Sequence, residues 1–251
     1  MTIETPQDLQ GLLAIGRIVG QTLDYMRQQL RPGMTTKQLD ELARQFLGAH
    51  QARSAPALTY NFPGTTCISI NDQATHGIPG DRQIKAGDIV KLDVAAERNG
   101  YFADAAITVA VPPVAPVHQR LCACAEAALR AGIAAAQVGQ PISAIGRAAE
   151  RIVRRYGYSI VRELHGHGVG RGLHEAPKLI PQYYAPSASQ RLTEGLVLTV
   201  EPHIAARSSR VVDHADGWTI STRDRSPVAM YEHTIIVTGN QPIVVTASSG
   251  K

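Results

Sequence analysis

The feature that most constrains this chain is an internal duplication with an offset of about 108 residues. Gly87 and Gly195 are 108 residues apart, and each precedes an apolar strand, IVKLDV or LVLTV. Asp93 and Glu201, near the predicted ends of these strands, are also 108 residues apart, and the glycines of the helix breaks RPG and VGQP are 106 apart. A near-constant offset across three kinds of position indicates two halves built on one plan.

Each half is predicted to begin with two helices. In the first half, apolar residues recur at helical spacing from Leu9 to about Leu30, and a capping box of Thr35 and Gln38 begins a second helix. In the second half, HQRLCACAEAALRAGIAAAQ and ISAIGRAAERIVRRYG are predicted helices, the latter with Ser143 as its N-cap. Apolar strands follow in both halves, which indicates an α+β fold.

The length of the chain allows one large domain or two small ones, and we predict one. The chain has 251 residues, of which 44% are hydrophobic, and this is enough for a substantial core. We therefore predict a single domain over residues 1–251, with pseudo-repeat halves at about 5–112 and 113–246.

Four carboxylates occupy matching places in the two halves: Asp93, Asp104, Glu201 and Glu232. One of each pair lies near the end of a strand, and the other lies at the start of the partner strand. If the halves meet face to face, the four could converge, and a shared cation would relieve their repulsion. The alternative is four solvated strand ends, which is reasonable for one carboxylate and weak for all four.

The stretch HGHGVGRGLHEAP adds three histidines between closely spaced glycines. An imidazole joined to carboxylates makes a mixed nitrogen and oxygen site, which suits Mn, Fe, Co or Zn. The glycines would let the backbone run where a Cβ would intrude. These residues alone leave open which histidine is a ligand.

Taken together, the motifs resemble the type I methionine aminopeptidases of peptidase family M24, in the short bacterial form. The resemblance runs from about Thr5 to Thr246 and rests on CISIND with HGIP, GDIVKLDV, GHGVGRGLHEAP, TVEP, DGWT and YEHT. It implies the duplicated pita-bread fold, in which helices cover a curved antiparallel sheet. It also implies a catalytic domain that removes the N-terminal methionine from nascent proteins and peptides whose second residue is small.

The resemblance further implies a centre of two divalent metal ions, whether Co, Mn, Fe or Zn. Its ligands would be Asp93, Asp104, His167, Glu201 and Glu232, with Asp104 and Glu232 bridging the ions. Glu201 would also carry the proton from the nucleophilic water to the departing amine.

The remaining implied residues contact substrate. His174 would hydrogen-bond the scissile peptide, and His76 the peptide or leaving-group region. The first side chain of the substrate would enter an apolar pocket lined by Tyr60, Phe62, Cys67, Leu173 and Trp218.

Several positions depart from the family pattern. Ala105 and Ala106 follow Asp104 where a hydroxyl residue is usual, which would remove a hydrogen bond next to a ligand. His165 replaces a common cysteine, Leu173 replaces a common aromatic residue, and LTYNFPG is a residue short. We expect the ligands to be intact and the pocket rim to be altered.

Two other functions remain open from sequence alone. One is a pita-bread metallopeptidase of different specificity, such as an Xaa-Pro peptidase or a creatinase-like enzyme, although we expect those to carry an additional N-terminal domain. The other is a non-catalytic binding protein, which we disfavour because no implied ligand is missing.

The composition of the chain limits which binding partners and which cellular compartment we expect. The net charge of +4 is scattered and only 5% of residues are aromatic, so we expect no specific nucleic acid partner. Three cysteines give no disulfide framework, and we find no signal peptide or membrane-spanning run. We expect a cytoplasmic protein that acts on peptide N-termini, with a monomer as the default and the ribosome as a candidate partner.

Overall fold

The computed structural model describes residues 1–247, and within them one large antiparallel sheet carries most of the strands. The predicted domain also included residues 248–251, which lie outside the described residues. Five helices and fifteen strands occur in the described range. The helices are α1 (Pro6–Gln29), α2 (Thr36–Ala49), α3 (Ala55–Tyr60), α4 (Pro116–Ala135) and α5 (Ser143–Tyr156).

The strands are short except for those of one hairpin, and all but β1 follow the helices of their half. They are β1 (Arg53–Ser54), β2 (Cys67–Ile70), β3 (Gln73–Thr75), β4 (Ile89–Arg98), β5 (Tyr101–Ala110), β6 (Ser159–Ile160), β7 (His165–Gly168), β8 (Glu175–Pro181), β9 (Val197–Val200), β10 (His203–Ala205), β11 (Val211–Asp213), β12 (Ile220–Thr222), β13 (Val228–Met230), β14 (Glu232–Ile236) and β15 (Ile243–Val244).

The large sheet has nine strands in the order β1-β4-β5-β14-β9-β7-β8, with β2 also paired to β4 and β15 to β14. Its pairings are antiparallel. The strands β4 and β5 of the first half meet β14 and β9 of the second half at the β5–β14 junction. Two small sheets, β13-β10-β6 and β11-β12-β3, complete the structure. The α+β prediction is confirmed.

Helices cover one face of this sheet through apolar contacts. Side chains of α1 and α2, such as Leu12 and Leu39, share a buried cluster with Leu92 of β4 and Ala103 of β5. In the second half, Leu129 of α4 packs with strand residues of β9 and β14. Burying these apolar surfaces is the main favourable term in folding, and it leaves the other face of β4 and β5 free to carry polar side chains.

Two of the expected helix starts behave as capping chemistry predicts. Thr35 and Gln38 form the predicted capping box, and Thr5 forms a second one with Asp8 at the start of α1. The prediction that Ser143 caps α5 is wrong, because Ser143 is the first helical residue and Ile142 occupies the cap without a side-chain bond. The Ser143 N–H instead donates to the carbonyl of Ala188, so a neighbouring segment fixes the start of this helix.

The carboxylates sit differently on their strands than the sequence indicated. Asp93 lies in the middle of β4 and Asp104 is the fourth residue of β5, because the two strands, of ten residues each, form one long hairpin. The turn is Asn99-Gly100, with φ of 54° and 78°, a dipeptide that favours tight hairpin turns. Glu201 directly follows β9, and Glu232 begins β14, as expected.

Within the described residues, no helix has both the length and the apolar character needed to cross a membrane.

Candidate active site

A cavity of about 470 Å³ opens where the two halves of the large sheet meet. It brings together every site residue proposed from the sequence. These are Tyr60, Phe62, Cys67, His76, Asp93, Asp104, His167, Leu173, His174, Glu201, Trp218 and Glu232. Six further residues complete the lining: Pro56, Thr75, Ala95, Leu164, His165 and His203.

The deepest part of the cavity is a cluster of carboxylates around one imidazole. Ligand atoms of Asp104, His167 and Glu232 all lie within 4.8 Å of one another. The His167 Nε2 atom is 3.9 Å from Asp104 Oδ2 and 3.7 Å from Glu201 Oε1. These separations are longer than hydrogen bonds, and they suit donor atoms arranged around a shared cation.

The electrostatics of the cluster also call for a cation. Burial raises the pKa of Asp104 to about 7 and the pKa of Glu201 to about 8. Burial, followed by repulsion from Asp104, raises the pKa of both Asp93 and Glu232 well above the usual range. Four carboxyl groups in a site of low dielectric cannot all ionise unless positive charge compensates them.

Unpaired oxygen atoms mark the same place. Asp104 Oδ1 and Glu232 Oε1 are buried and have no hydrogen-bond partner. Native structures leave few such atoms without an explanation. Carboxylate oxygens and an imidazole nitrogen are also the donor set that borderline divalent metals accept, so the residues present fit a divalent metal ion.

His167 is held in the form that a ligand requires. Its Nδ1 lies 3.0 Å from the carbonyl oxygen of Gly168. Because a carbonyl can only accept, Nδ1 carries the proton and Nε2 keeps its lone pair for the cluster. Burial, followed by the neighbouring His174, lowers the pKa of His167 to about 3, which also keeps the ring neutral.

Two threonines fix the cluster from behind. The Thr199 hydroxyl donates to Glu201 Oε1 at 2.8 Å and accepts from the His167 N–H at 3.0 Å, so it links two strands. The Thr234 hydroxyl donates to the Asp104 carbonyl at 2.8 Å and accepts from the Asp104 N–H at 2.9 Å. Both threonines are fully buried, so these bonds are shielded from competing water.

The glycines around His167 allow close backbone packing. A Cβ on Gly168 would lie 2.3 Å from the carbonyl oxygen of Ala176, and a Cβ on Gly166 would lie 2.6 Å from that of Thr199. Any larger residue would push β7 away from β8 and β9. The expectation that a Cβ would intrude here is therefore met at these two positions.

Aromatic and apolar side chains form another part of the lining. Phe62 and Trp218 meet edge to face with ring centroids 5.1 Å apart, and Leu173, which also lines the cavity, is buried in a small cluster with Ala55 and Ala95. The Tyr60 hydroxyl lies 2.7 Å from His174 Nδ1. The His174 ring is in turn 4.0 Å from the His167 ring, centroid to centroid, so it reaches from the apolar lining to the carboxylate cluster.

Sequence reasoning missed three side chains at this site: Thr199, Thr234 and His203. The signal for Thr199 was present, because it lies two residues before Glu201 on the same face of β9. Thr234 lies two residues after Glu232 on the same face of β14. His203 likewise lies two residues after Glu201, and the pairing of β10 with β6 and β13 fixes its place at the cavity.

Comparisons with known proteins agree with this site. The sequence profile of metallopeptidase family M24 matches residues 10–239. Methionine aminopeptidase 2 of Bacillus subtilis is 42% identical over 247 residues, covering 98% of this chain and 99% of that protein. The structure of a methionine aminopeptidase from Rickettsia prowazekii aligns with a TM-score of 0.93 at 36% identity, covering 98% of this chain and 100% of that one.

A more distant structure shares the fold. A prolidase from Pyrococcus furiosus aligns with a TM-score of 0.79 at 21% identity, covering 99% of this chain and 66% of the prolidase. At that identity the likeness concerns fold alone. With the antiparallel sheet and its covering helices, these alignments confirm the predicted pita-bread fold.

Proposed function

This chain belongs to metallopeptidase family M24, and from that premise we propose how its cavity removes the N-terminal methionine from proteins and peptides. The chain is a hydrolase with methionine aminopeptidase activity. The observation that supports this most directly is its alignment with methionine aminopeptidases over nearly its whole length. An Xaa-Pro or creatinase-like specificity is less well supported, because the prolidase shares only the fold.

The cluster binds divalent metal. We propose that it holds two ions, with Asp104 and Glu232 as bridges and with Asp93, His167 and Glu201 as terminal ligands. The unpaired oxygens of Asp104 and Glu232 support bridging, since each carboxylate has an oxygen left to share. When bound, the ions supply an acidified water and polarise the scissile carbonyl. Which of Co, Mn, Fe or Zn is used stays a prediction.

Glu201 is proposed to move the proton. Thr199 donates to Oε1 of Glu201 and so fixes the orientation of the carboxyl group. The carboxyl group of Glu201 lines the cavity beside the other proposed ligands, where it could take a proton from the attacking water and return it to the departing amine.

His174 and His76 are proposed to position the substrate. If Tyr60 donates to His174 Nδ1, the Nε2–H of His174 is free to donate to the scissile peptide. His76 lies at the exposed part of the cavity, where it can contact the peptide or the leaving group. The first side chain would lie against Tyr60, Phe62, Cys67, Leu173 and Trp218.

A peptide panel tests the function. The metal-free protein, supplied with Mn, Fe or Co, is expected to cleave Met-Ala-Ser and to leave Ala-Pro peptides intact. The reverse pattern would identify an Xaa-Pro peptidase, and no hydrolysis with any metal would identify a non-catalytic protein. Metal analysis of the same samples gives the number of ions bound.

The substrates are peptide or protein N-termini. We also propose a cytoplasmic monomer that meets nascent chains at the ribosome. The monomer is supported by the lining of the cavity, to which both halves of one chain contribute. Size-exclusion chromatography tests the monomer, and co-sedimentation with ribosomes tests the contact.

A further inference from the structure

The loop between β7 and β8 carries two side chains of the proposed site. It spans residues 169–174, and its last two residues, Leu173 and His174, line the cavity. On the cavity side, Leu173 is buried, and His174 Nδ1 lies 2.7 Å from the Tyr60 hydroxyl. Gly170 has a φ of 141°, which residues with a side chain rarely adopt. Because glycine leaves the backbone so much freedom, the contacts of this loop must fix its position.

The side chain of Arg171 ties the loop to the first helix and to the β4–β5 hairpin. Its Nη2 donates to Asp8 Oδ1 at 2.7 Å and to the Tyr101 hydroxyl at 2.8 Å. The guanidinium also lies over the Tyr101 ring, 3.7 Å from the ring centroid. The Tyr101 hydroxyl donates to Asp8 Oδ1 at 3.2 Å, so each of the three side chains contacts the other two. All three residues lie outside the lining of the cavity.

Asp8 offers Arg171 an acceptor that is charged and fixed. A hydrogen bond from Thr5, joined by those from Arg171 and Tyr101, lowers the pKa of Asp8 to about 2, so the carboxylate is ionised at neutral pH. Asp8 also belongs to the capping box at the start of α1, which restrains its side chain. A guanidinium stays protonated in proteins. The contact is therefore an ion pair with hydrogen bonds, and its acceptor does not depend on the loop for its position.

Backbone hydrogen bonds hold the same loop on both sides of Arg171. The Phe102 N–H donates to the Gly170 carbonyl at 2.8 Å, and the Arg171 N–H donates to Glu175 Oε1 at 2.8 Å. Glu175 directly follows His174 in the chain. The position of the His174 ring therefore depends on where Arg171 and its neighbours place the loop.

We propose that Arg171 is a positioning residue for the reaction. Its bonds to Asp8 and Tyr101 fix the loop so that His174 faces the scissile peptide, while Arg171 itself does not contact the substrate. The inference rests on the proposed function, because that function assigns His174 to the substrate. A group displaced by about 1 Å can slow a reaction by roughly 100-fold, so a residue outside the cavity can control the rate through such a loop.

The kinetics of Arg171→Leu in two backgrounds test this role. The Mn-loaded proteins are assayed with Met-Ala-Ser. In otherwise wild-type protein, we expect Arg171→Leu to lower kcat by about tenfold or more, because the His174 ring loses its fixed position. In His174→Ala protein, the same substitution should lower kcat by less than about twofold, since no imidazole is left to position. A double-mutant cycle of this kind separates an effect transmitted by His174 from a general loss of structure.

A second variant and a matched control complete the kinetic test. Tyr101→Phe keeps the ring and removes only the hydroxyl that contacts Arg171, so kcat should fall by about threefold, again only when His174 is present. If Arg171→Leu does not fold, as judged by circular dichroism, Tyr101→Phe decides the outcome. Arg162→Leu is the control and should keep the wild-type kcat. Like Arg171, Arg162 pairs with a carboxylate on a helix and lies over a tyrosine ring, but these belong to Glu150 and Tyr183.

NMR of the metal-free proteins follows the His174 ring without any turnover. The nitrogen-15 signals of this ring, assigned by their loss in His174→Ala, should shift in Arg171→Leu and in Tyr101→Phe, because the ring moves relative to the Tyr60 hydroxyl. The ring signals of His50, whose Nδ1 contacts a backbone carbonyl of α2, should not change. Metal content, measured separately on the loaded proteins, should equal that of wild type.

Several results would overturn the inference. Wild-type kcat in Arg171→Leu would do so, and so would an equal loss in both backgrounds, which would mean that Arg171 supports the structure as a whole. Loss of metal in Arg171→Leu would mean that it acts on the ligand cluster instead. Failure of the proposed function looks different, because the wild-type protein would then not cleave Met-Ala-Ser. The NMR comparison would still decide the role of Arg171, and unchanged His174 signals in Arg171→Leu would refute it.

Discussion

The substitution Thr234→Val tests how the fold positions Asp104, a proposed metal ligand. The strands β5 and β14 pair through only two registered residue pairs, Glu232 with Ala106 and His233 with Ala105. On either side of this short ladder, a threonine hydroxyl makes the hydrogen bonds between the two segments. Thr234 bonds to the backbone of Asp104, and Thr108 bonds to the backbone of Met230. Valine keeps the shape of Thr234 and removes only the hydroxyl.

The expected loss of stability follows from the two bonds removed. The Asp104 N–H and carbonyl would both be left buried without this partner, and an unsatisfied buried polar group costs roughly 1–3 kcal/mol. We therefore expect Thr234→Val to lower the free energy of unfolding by about 2–4 kcal/mol. Because the same bonds hold the backbone of Asp104, the proposed bridging ligand, metal affinity should fall by about 10- to 100-fold.

Thr108→Val provides the matched comparison, since its hydroxyl makes the same pair of bonds, at 2.6 and 2.8 Å, to a residue that is not a ligand. Urea unfolding of the metal-free proteins measures stability, and metal titration measures affinity. Both variants should lose similar stability, whereas only Thr234→Val should lose metal affinity. Thr234→Ser, which keeps the hydroxyl, should stay close to wild type in affinity.

Two results would refute this reasoning. Wild-type stability in Thr234→Val would mean that the Asp104 backbone finds other partners. An equal loss of metal affinity in Thr108→Val would mean that the affinity follows general stability rather than the position of Asp104.

Three further predictions concern the site. Asp104→Ala should abolish peptide cleavage, because it removes a proposed bridge between the ions, and near-wild-type turnover would contradict that role. His174→Ala should slow turnover by at least about 100-fold while metal content stays at its wild-type value; loss of metal on elemental analysis would instead make His174 a ligand. Gly168→Ala should lower the melting temperature strongly, because its Cβ would lie 2.3 Å from the carbonyl oxygen of Ala176; an unchanged melting temperature would show that β7 and β8 separate without cost.

Local signals in the sequence gave the start of α2 and the candidate ligands. The Thr35–Gln38 capping box needs only contacts within four residues. The carboxylates could be identified because they lie in apolar strands, where burying an unpaired charge is costly. The prediction that Ser143 caps α5 failed because a backbone hydrogen bond to Ala188, far along the chain, sets the start of this helix. The contact between Arg171 and Asp8 could not be found either, since it joins residues 163 positions apart in the sequence.

The carboxylate cluster lies at the β5–β14 junction, so metal binding there should affect the stability of the contact between the two halves. We propose that residues 5–112 and 113–246 are the two halves, each supplying one acid of the facing pair Asp104 and Glu232. Burial raises the pKa of both acids, and repulsion from Asp104 raises that of Glu232 further, so ionising both without metal is unfavourable at this junction, which has only two ladder pairs. Metal bound between Asp104 and Glu232 would replace that repulsion with attraction to positive charge. A ligand that binds only the folded state stabilises it by mass action, so a bound metal would also hold the halves together. The junction should therefore be the first part of the sheet to exchange its amide protons when metal is removed.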